Sequence, residues 1–160
     1  AHALALAEKF ANGAKIAVML GDNIFTNHEQ IKSGVAAFAK DGGARLFLKE
    51  VPDPERFGIA EVHQARITSI IEKPKSPLSN LAVTGLYLYD SDVFAIVKTL
   101  KPSERGELEI TDVNNYYVKN GLARYDIVKG DWIDAGTFDS LVHASMLMLK
   151  KNREFPVDIT

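Results

Sequence analysis

Two aspartates in this sequence stand where a carboxylate can do chemistry. Asp22 follows the apolar run Ile16-Ala-Val-Met-Leu20 and Gly21; Asp134 follows Trp132-Ile133 and precedes Ala135-Gly136-Thr137. A run of that kind passing into Gly-Asp-Asn suits a strand covered on both faces that leaves its sheet sharply. In open α/β sheets the carboxyl ends of strands are where ligands bind. If both strand ends face one cleft, the two carboxylates can hold a divalent ion that keeps positions for water and phosphate. Aspartate is also an ordinary turn former, so two separate solvated turns would give the same pattern.

Three further stretches carry candidate groups. In Glu72-Lys73-Pro74 the proline disfavours a helix at Lys73 and can hold its ammonium in a pocket as a phosphate partner. The plainer alternative is an exposed Glu–Lys pair at a strand end. Arg105-Gly-Glu-Leu-Glu109 gathers one cation and two anions round a glycine. Arg105 could clamp a phosphate and Glu107 could accept from sugar hydroxyls, or the stretch is a solvated loop. Phe57-Gly58 offers close backbone approach to a ligand, or simply the start of a strand. His2, His28, His63 and His143 fall at no metal-ligand spacing, and Phe94, Tyr116, Tyr117 and Trp132 read as core. No Walker loop, nucleophile elbow or Rossmann glycine fingerprint is present.

The elements that must position these groups follow from periodicity and punctuation. Leu4, Ala7 and Phe10 predict one helix over 1–11, ended by Gly13, before a strand over 15–20. Ile31, Val35 and Phe38 mark a second helix. Strands are predicted over 45–51, 58–62, 66–71 and 81–89, the last with Thr84 and Gly85 in its middle. Asp90 and Ser91 can cap a helix holding Val93, Phe94 and Val97, and Thr111 can cap another ending near Gly121. Strands over 122–128 and 132–134 lead to a final helix capped by Thr137. The order predicts a three-layer α/β domain with a mixed, mostly parallel sheet and one antiparallel excursion.

Composition bounds the rest. At 160 residues, 46% hydrophobic and 25% charged, the chain is long enough for one domain with a real core. A net charge of -2 gives no broad basic field, which argues against nucleic acid. Without cysteine there are no disulfides or cysteine–zinc sites, and the cytoplasm is the default compartment. No apolar run approaches the roughly 20 residues of a membrane span, and the opening residues lack a basic leader.

Taken together and in order, six stretches resemble the sugar-1-phosphate nucleotidyltransferase family, closest to its thymidylyl-transferring members. They are Leu20-Gly-Asp-Asn-Ile-Phe25, Asp53-Pro-Glu-Arg-Phe-Gly58, Glu72-Lys-Pro74, Ala82-Val-Thr-Gly-Leu-Tyr-Leu-Tyr-Asp90, Arg105-Gly-Glu-Leu-Glu-Ile-Thr-Asp112 and Trp132-Ile-Asp-Ala-Gly-Thr137. The resemblance implies a Rossmann-like fold and transfer of a nucleotidyl group from a nucleoside triphosphate, dTTP, to a sugar 1-phosphate, glucose 1-phosphate, releasing pyrophosphate. UTP in place of dTTP, or a non-catalytic sugar-phosphate-binding module, are the alternatives. By resemblance, Asp22 and Asp134 hold Mg²⁺, Lys73 contacts the sugar phosphate and Arg105 lies on the phosphate side. Gly58, Glu72, Val83, Tyr87 and Glu107 surround the hexose, and the protein is a homo-oligomer. The family's glycine-rich nucleotide loop is not in this sequence. Residues 1–160 are therefore expected to be the central and C-terminal portion of one nucleotidyltransferase domain, weak or inactive alone.

Overall fold

A computed structural model describes residues 1–103 and 106–154. Its organising strand is β6 (Leu81–Tyr89), whose residues are buried throughout except for the half-buried Leu81 and Val83. One edge of β6 pairs antiparallel with β3 (Ala44–Glu50), and β3 pairs in parallel with β7 (Ala123–Ile127). The other edge is shared. β1 (Ile16–Met19) runs antiparallel along its C-terminal half, from Ile16↔Tyr89 to Met19↔Leu86, while β4 (Gly58–His63) meets it at Ile59↔Ala82. β5 (Arg66–Glu72) folds back on β4 as a hairpin, with Gln64 and Ala65 at positive φ in the turn. A separate two-stranded ribbon joins β2 (Asn23–Phe25) to β8 (Trp132–Asp134).

Alternation along β3 and β6 splits the core into two faces. Leu46, Leu48, Tyr87 and Tyr89 join α1 (His2–Leu6), α4 (Val93–Thr99) and α5 (Ile110–Lys119) on one side. Phe47, Leu86 and Leu88 meet Phe38 of α3 (His28–Lys40) and Phe25 on the other. The three-layer α/β domain expected from sequence is therefore what forms. Its pairing is mainly antiparallel, however, and β3–β7 is the one parallel pair among the described residues. The physical reason is connection length: strands β3 to β6 follow one another through short links that hold no crossover helix, and a two-residue turn can join only antiparallel neighbours.

Local differences have equally simple causes. The stretch 1–11 breaks into α1 and α2 (Glu8–Ala11), with Asn12 and Gly13 both at positive φ; Leu4 is buried, but Phe10 is 94% exposed. β1 is not covered on both faces: Ala17 and Met19 point to solvent, and β6 is the strand buried on both sides. Thr111 is not a cap; it lies within α5, where Glu109 holds the N-cap position. Thr137 does cap α6 (Phe138–Glu154), its hydroxyl accepting from the Ser140 N–H at 3.2 Å.

One turn gives a direct test of the packing. Gly43 has φ +76, and a Cβ there would lie 2.2 Å from the Leu122 carbonyl oxygen. Its N–H donates to Asp90 Oδ2 at 2.6 Å, and its carbonyl accepts from the Asp90 N–H at 2.9 Å. Gly43→Ala combines a strained φ with a backbone clash and is expected to destabilise the fold by about 2–4 kcal/mol in denaturant unfolding. A loss below roughly 0.5 kcal/mol, the usual range of surface substitutions, would contradict this packing.

Candidate active site

The site lies where the shared edge of β6 changes hands between β1 and β4. At that point Gly85 has no strand partner for its N–H. Its carbonyl accepts from the Leu20 N–H at 2.8 Å, and its N–H is taken by the Asn23 side chain, Oδ1, also at 2.8 Å. Asn23 thus completes the ladder with an amide side chain. It is 5% exposed, accepts from Trp132 Nε1 at 2.6 Å, and donates through Nδ2 to Asp22 Oδ1 at 2.9 Å. Such an approach needs glycine at 85, because a Cβ there would meet the Asn23 amide at 2.6 Å.

The ribbon brings the two aspartates together. β2 and β8 pair with Asn23 opposite Asp134, and the Ala135 N–H donates to the Asp22 carbonyl at 2.8 Å. A single Cβ built on Gly136 would sit 3.1 Å from Asp134 Oδ1 and 3.5 Å from Asp22 Oδ2, so both carboxyl groups converge on one point. The Asp134 carboxyl titrates above its usual range, first because it is partly buried and then because Asp22 repels its charge. The Gly136 N–H and Arg56 work against that shift.

These groups line a cavity of about 220 Å³ that also takes in Gly58, Glu72, Lys73, Val83 and Tyr87. Glu72, at the end of β5, accepts from the Thr111 hydroxyl at 2.6 Å, and a Cβ on Gly58 would come within 3.2 Å of both partners. Tyr87 is 5% exposed, and its hydroxyl is pushed up by burial and by the charges of Glu72, Asp22 and Asp134. Lys73 stands at φ 44, an uncommon conformation for a residue with a Cβ, and its N–H donates to the Phe57 carbonyl at 3.0 Å. An adjoining outer cleft is lined by Arg56, Lys73, Asp134, Gly136 and Thr137, so two cations flank one of the carboxylates.

Of the residues singled out from sequence, Asp22, Asp134, Lys73, Gly58, Glu72, Val83 and Tyr87 therefore share one cavity. Glu107 does not line it: this exposed residue lies on the loop before α5, where its carbonyl accepts from the Ser103 N–H at 2.8 Å. Arg105 lies outside the described residues. Sequence reasoning missed four participants. Asn23 looked like turn chemistry, Thr111 like a cap and Trp132 like core. Arg56 stood unremarked inside Asp53-Pro-Glu-Arg-Phe-Gly58, although it pairs with Asp53 at 2.6 Å, covers the Phe57 ring and faces the cavity. A cation two residues before Gly58 was the available signal. Phe57 itself meets Trp132 with ring centroids 5.2 Å apart and closes one wall.

Among the described residues no group of three or more His, Asp or Glu side chains is placed to hold a metal ion. A converging pair of carboxylates is nevertheless the kind of donor set Mg²⁺ uses, since it keeps several waters and takes further oxygens from phosphate.

Comparison with known proteins agrees with this architecture. Residues 1–151 match the nucleotidyl transferase family. Glucose-1-phosphate thymidylyltransferases of Neisseria meningitidis and Xanthomonas campestris are 41% and 43% identical over 148 residues, covering 91% of this chain and 51% and 50% of theirs. The chain thus spans about half the length of the curated relatives it matches. Among solved structures, a candidate glucose-1-phosphate thymidylyltransferase from Bacillus anthracis, in complex with sucrose, superposes with a TM-score of 0.83 at 50% identity, over 92% of this chain and 59% of that one. A UDP-glucose pyrophosphorylase complexed with UDP-glucose gives 0.79 at 27% identity, over 94% and 62%. On the match that runs through all but its last few residues, this chain belongs to the nucleotidyl transferase family.

Proposed function

We propose that this chain forms the sugar-phosphate and metal side of an enzyme that joins dTTP and glucose 1-phosphate into a nucleotide sugar, releasing pyrophosphate. The observation that carries the reading is the convergence of Asp22 and Asp134, more than a hundred residues apart in sequence, beside Lys73. In that role the sugar phosphate oxygen attacks the α-phosphorus in line with the departing pyrophosphate, and no covalent enzyme nucleophile is needed. Asp22 and Asp134 would hold Mg²⁺, which supplies charge neutralisation at the phosphates when bound. Lys73, aided by Arg56 at the outer cleft, would offset repulsion between the two reacting anions. Arg105 is proposed on the phosphate side from its motif. Glu72, fixed by Thr111, would accept hydroxyl donors of the hexose, while Gly58, Val83 and Tyr87 shape the pocket around the ring. Glu107 is proposed beside the hexose from its motif alone.

Catalysis on this account is positioning and electrostatics. The relatives favour dTTP, being named thymidylyltransferases at 41–43% identity. UTP is the second reading, favoured by the similarity to a pyrophosphorylase solved with UDP-glucose. Pyrophosphate release by the full-length polypeptide, with dTTP and UTP in competition, separates the two.

Lys73 gives the test on binding. Lys73→Gly relieves a positive φ worth on the order of 1 kcal/mol and should unfold no more easily than wild type. Glucose 1-phosphate affinity measured by calorimetry with Mg²⁺ present should nevertheless fall roughly 10- to 100-fold, the equivalent of one charge-assisted hydrogen bond. Unchanged affinity would remove Lys73 from the phosphate site.

A further inference from the structure

At the opposite end of the β4–β5 hairpin lies a second cavity, of about 520 Å³, that the proposed reaction does not use. β5 carries Glu72 at one end and Arg66 at the other. At about 3.3 Å per residue this puts the two cavities roughly 20 Å apart. Four of the residues lining this cavity are basic, His63, Arg66, Lys119 and Arg124, and none is acidic.

The placement is built into the fold. His63 and Arg66 are register partners across the Gln64-Ala65 turn, so their side chains rise from the same face. Lys119 ends α5, and Arg124 enters from β7. The Arg124 guanidinium is steadied by Nη1 donating to the Gly121 and Ala123 carbonyls at 3.2 and 3.3 Å, and the residue is exposed. Buried Ile67 and Val118 also line the cavity, whose four basic side chains are themselves exposed.

Among the described residues, none of the four has a carboxylate within ion-pair distance, whereas Arg45 in the adjoining groove is held by Asp41 and Asp126 at 3.0 and 2.8 Å. Gathering three such cations, Arg66, Lys119 and Arg124, in a chain of net charge -2 costs self-repulsion that a multivalent anion would offset. Two guanidinium forks favour phosphate oxygens, which they can grip in pairs. The cluster is a pocket rather than a stripe, so it suits a compact ligand and not a duplex or a membrane surface.

We propose that this cavity is a second anion site that takes an oligophosphate, either free or as the phosphate chain of a nucleotide. The proposal stands independently of the transferase reading. The test is calorimetry with inorganic tripolyphosphate, then ATP, on the wild-type chain, on Lys73→Ala and on Arg66→Ala/Arg124→Ala, at fixed ionic strength and with melting temperatures as the control for folding. Binding that survives Lys73→Ala and weakens at least tenfold in the double variant is the expected result. Arg124→Lys, which keeps the charge, should retain most of it. Tripolyphosphate that binds and ATP that does not would identify the free anion as the ligand; equal binding would identify the phosphate chain. Absence of binding, equal binding in the double variant, or citrate binding as tightly as tripolyphosphate would each overturn the assignment.

Discussion

Asp134→Asn in the full-length polypeptide is expected to lower Mg²⁺-dependent turnover by roughly 10²-fold or more, while the fold becomes no less stable. The two effects part company because the aspartate is held unfavourably. Burial and Asp22 raise its pKa, so ionising it is harder in the folded protein than in the unfolded chain. The sign follows from linkage. A carboxyl whose folded pKa is raised loses stability as pH climbs from its unfolded value, near 3.9, through its higher folded value. Metal-free Asp134→Asn should therefore match or exceed wild type in thermal unfolding at neutral pH, and the two should converge below the unfolded pKa. Mg²⁺ reverses the balance in wild type alone, since binding needs the ionised carboxylate; its affinity should fall as pH drops through the raised range. Two results would count against the pair as the metal site: turnover unchanged at saturating Mg²⁺, or a Mg²⁺-induced rise in melting temperature that persists in the variant.

The second large effect is expected at Gly85 and Asn23. Gly85→Ala places a methyl 2.6 Å from the Asn23 amide and should cost about 2–3 kcal/mol, because the side chain it displaces serves Gly85, Trp132 and Asp22 at once. Asn23→Ala should cost a similar amount by leaving the Gly85 and Trp132 N–H groups without acceptors in a buried place. The two should be strongly non-additive: with Asn23 already truncated, the methyl at 85 has lost the group it strikes. Trp132 is the only tryptophan in the chain, so its fluorescence reports the same contact. Its emission should shift in Gly85→Ala and Asn23→Ala and stay near wild type in Asn23→Asp, which keeps an acceptor but no longer donates to Asp22. Simple additivity in denaturant unfolding would show that Asn23 and Gly85 do not act as one unit.

That contact explains how a site can form at a gap in a sheet. β1 and β4 share one edge of β6 without meeting, and unpaired backbone there would ordinarily be a liability. One asparagine side chain pairs the buried Gly85 N–H that no strand reaches and, from its other atom, donates to the first carboxylate. The opening left between the strands is the cavity. Glu72 and Thr111 close it from the hairpin and helix side, so β4, β5 and α5 act as one wall, locked further by Asn115, whose amide bonds both the N–H and the carbonyl of Ile70 at 3.0 and 2.7 Å.

Local chemistry by itself determined a good deal. Apolar runs ended by Gly, Asp and Pro gave the strands, and Asp22, Lys73, Glu72, Gly58 and Asp134 could be named because turn-forming or backbone-restricting residues stand beside them. What local patterns do not carry is partnership between distant segments. An unbroken apolar run is the same whether its neighbours run parallel or antiparallel, which is why the sheet was expected to be mostly parallel and why β1 was expected to be covered on both faces. Nor does spacing say where a side chain with several possible partners will spend its hydrogen bonds: Thr111 could cap a helix but donates to Glu72, and Asn23 could shape a turn but replaces a strand. The pairing of β2 with β8 belongs to the tertiary structure alone. It places Asn23 opposite Asp134 and turns two isolated carboxylates into one charged site, because only the packed sheet supplies the burial and the proximity that make them repel.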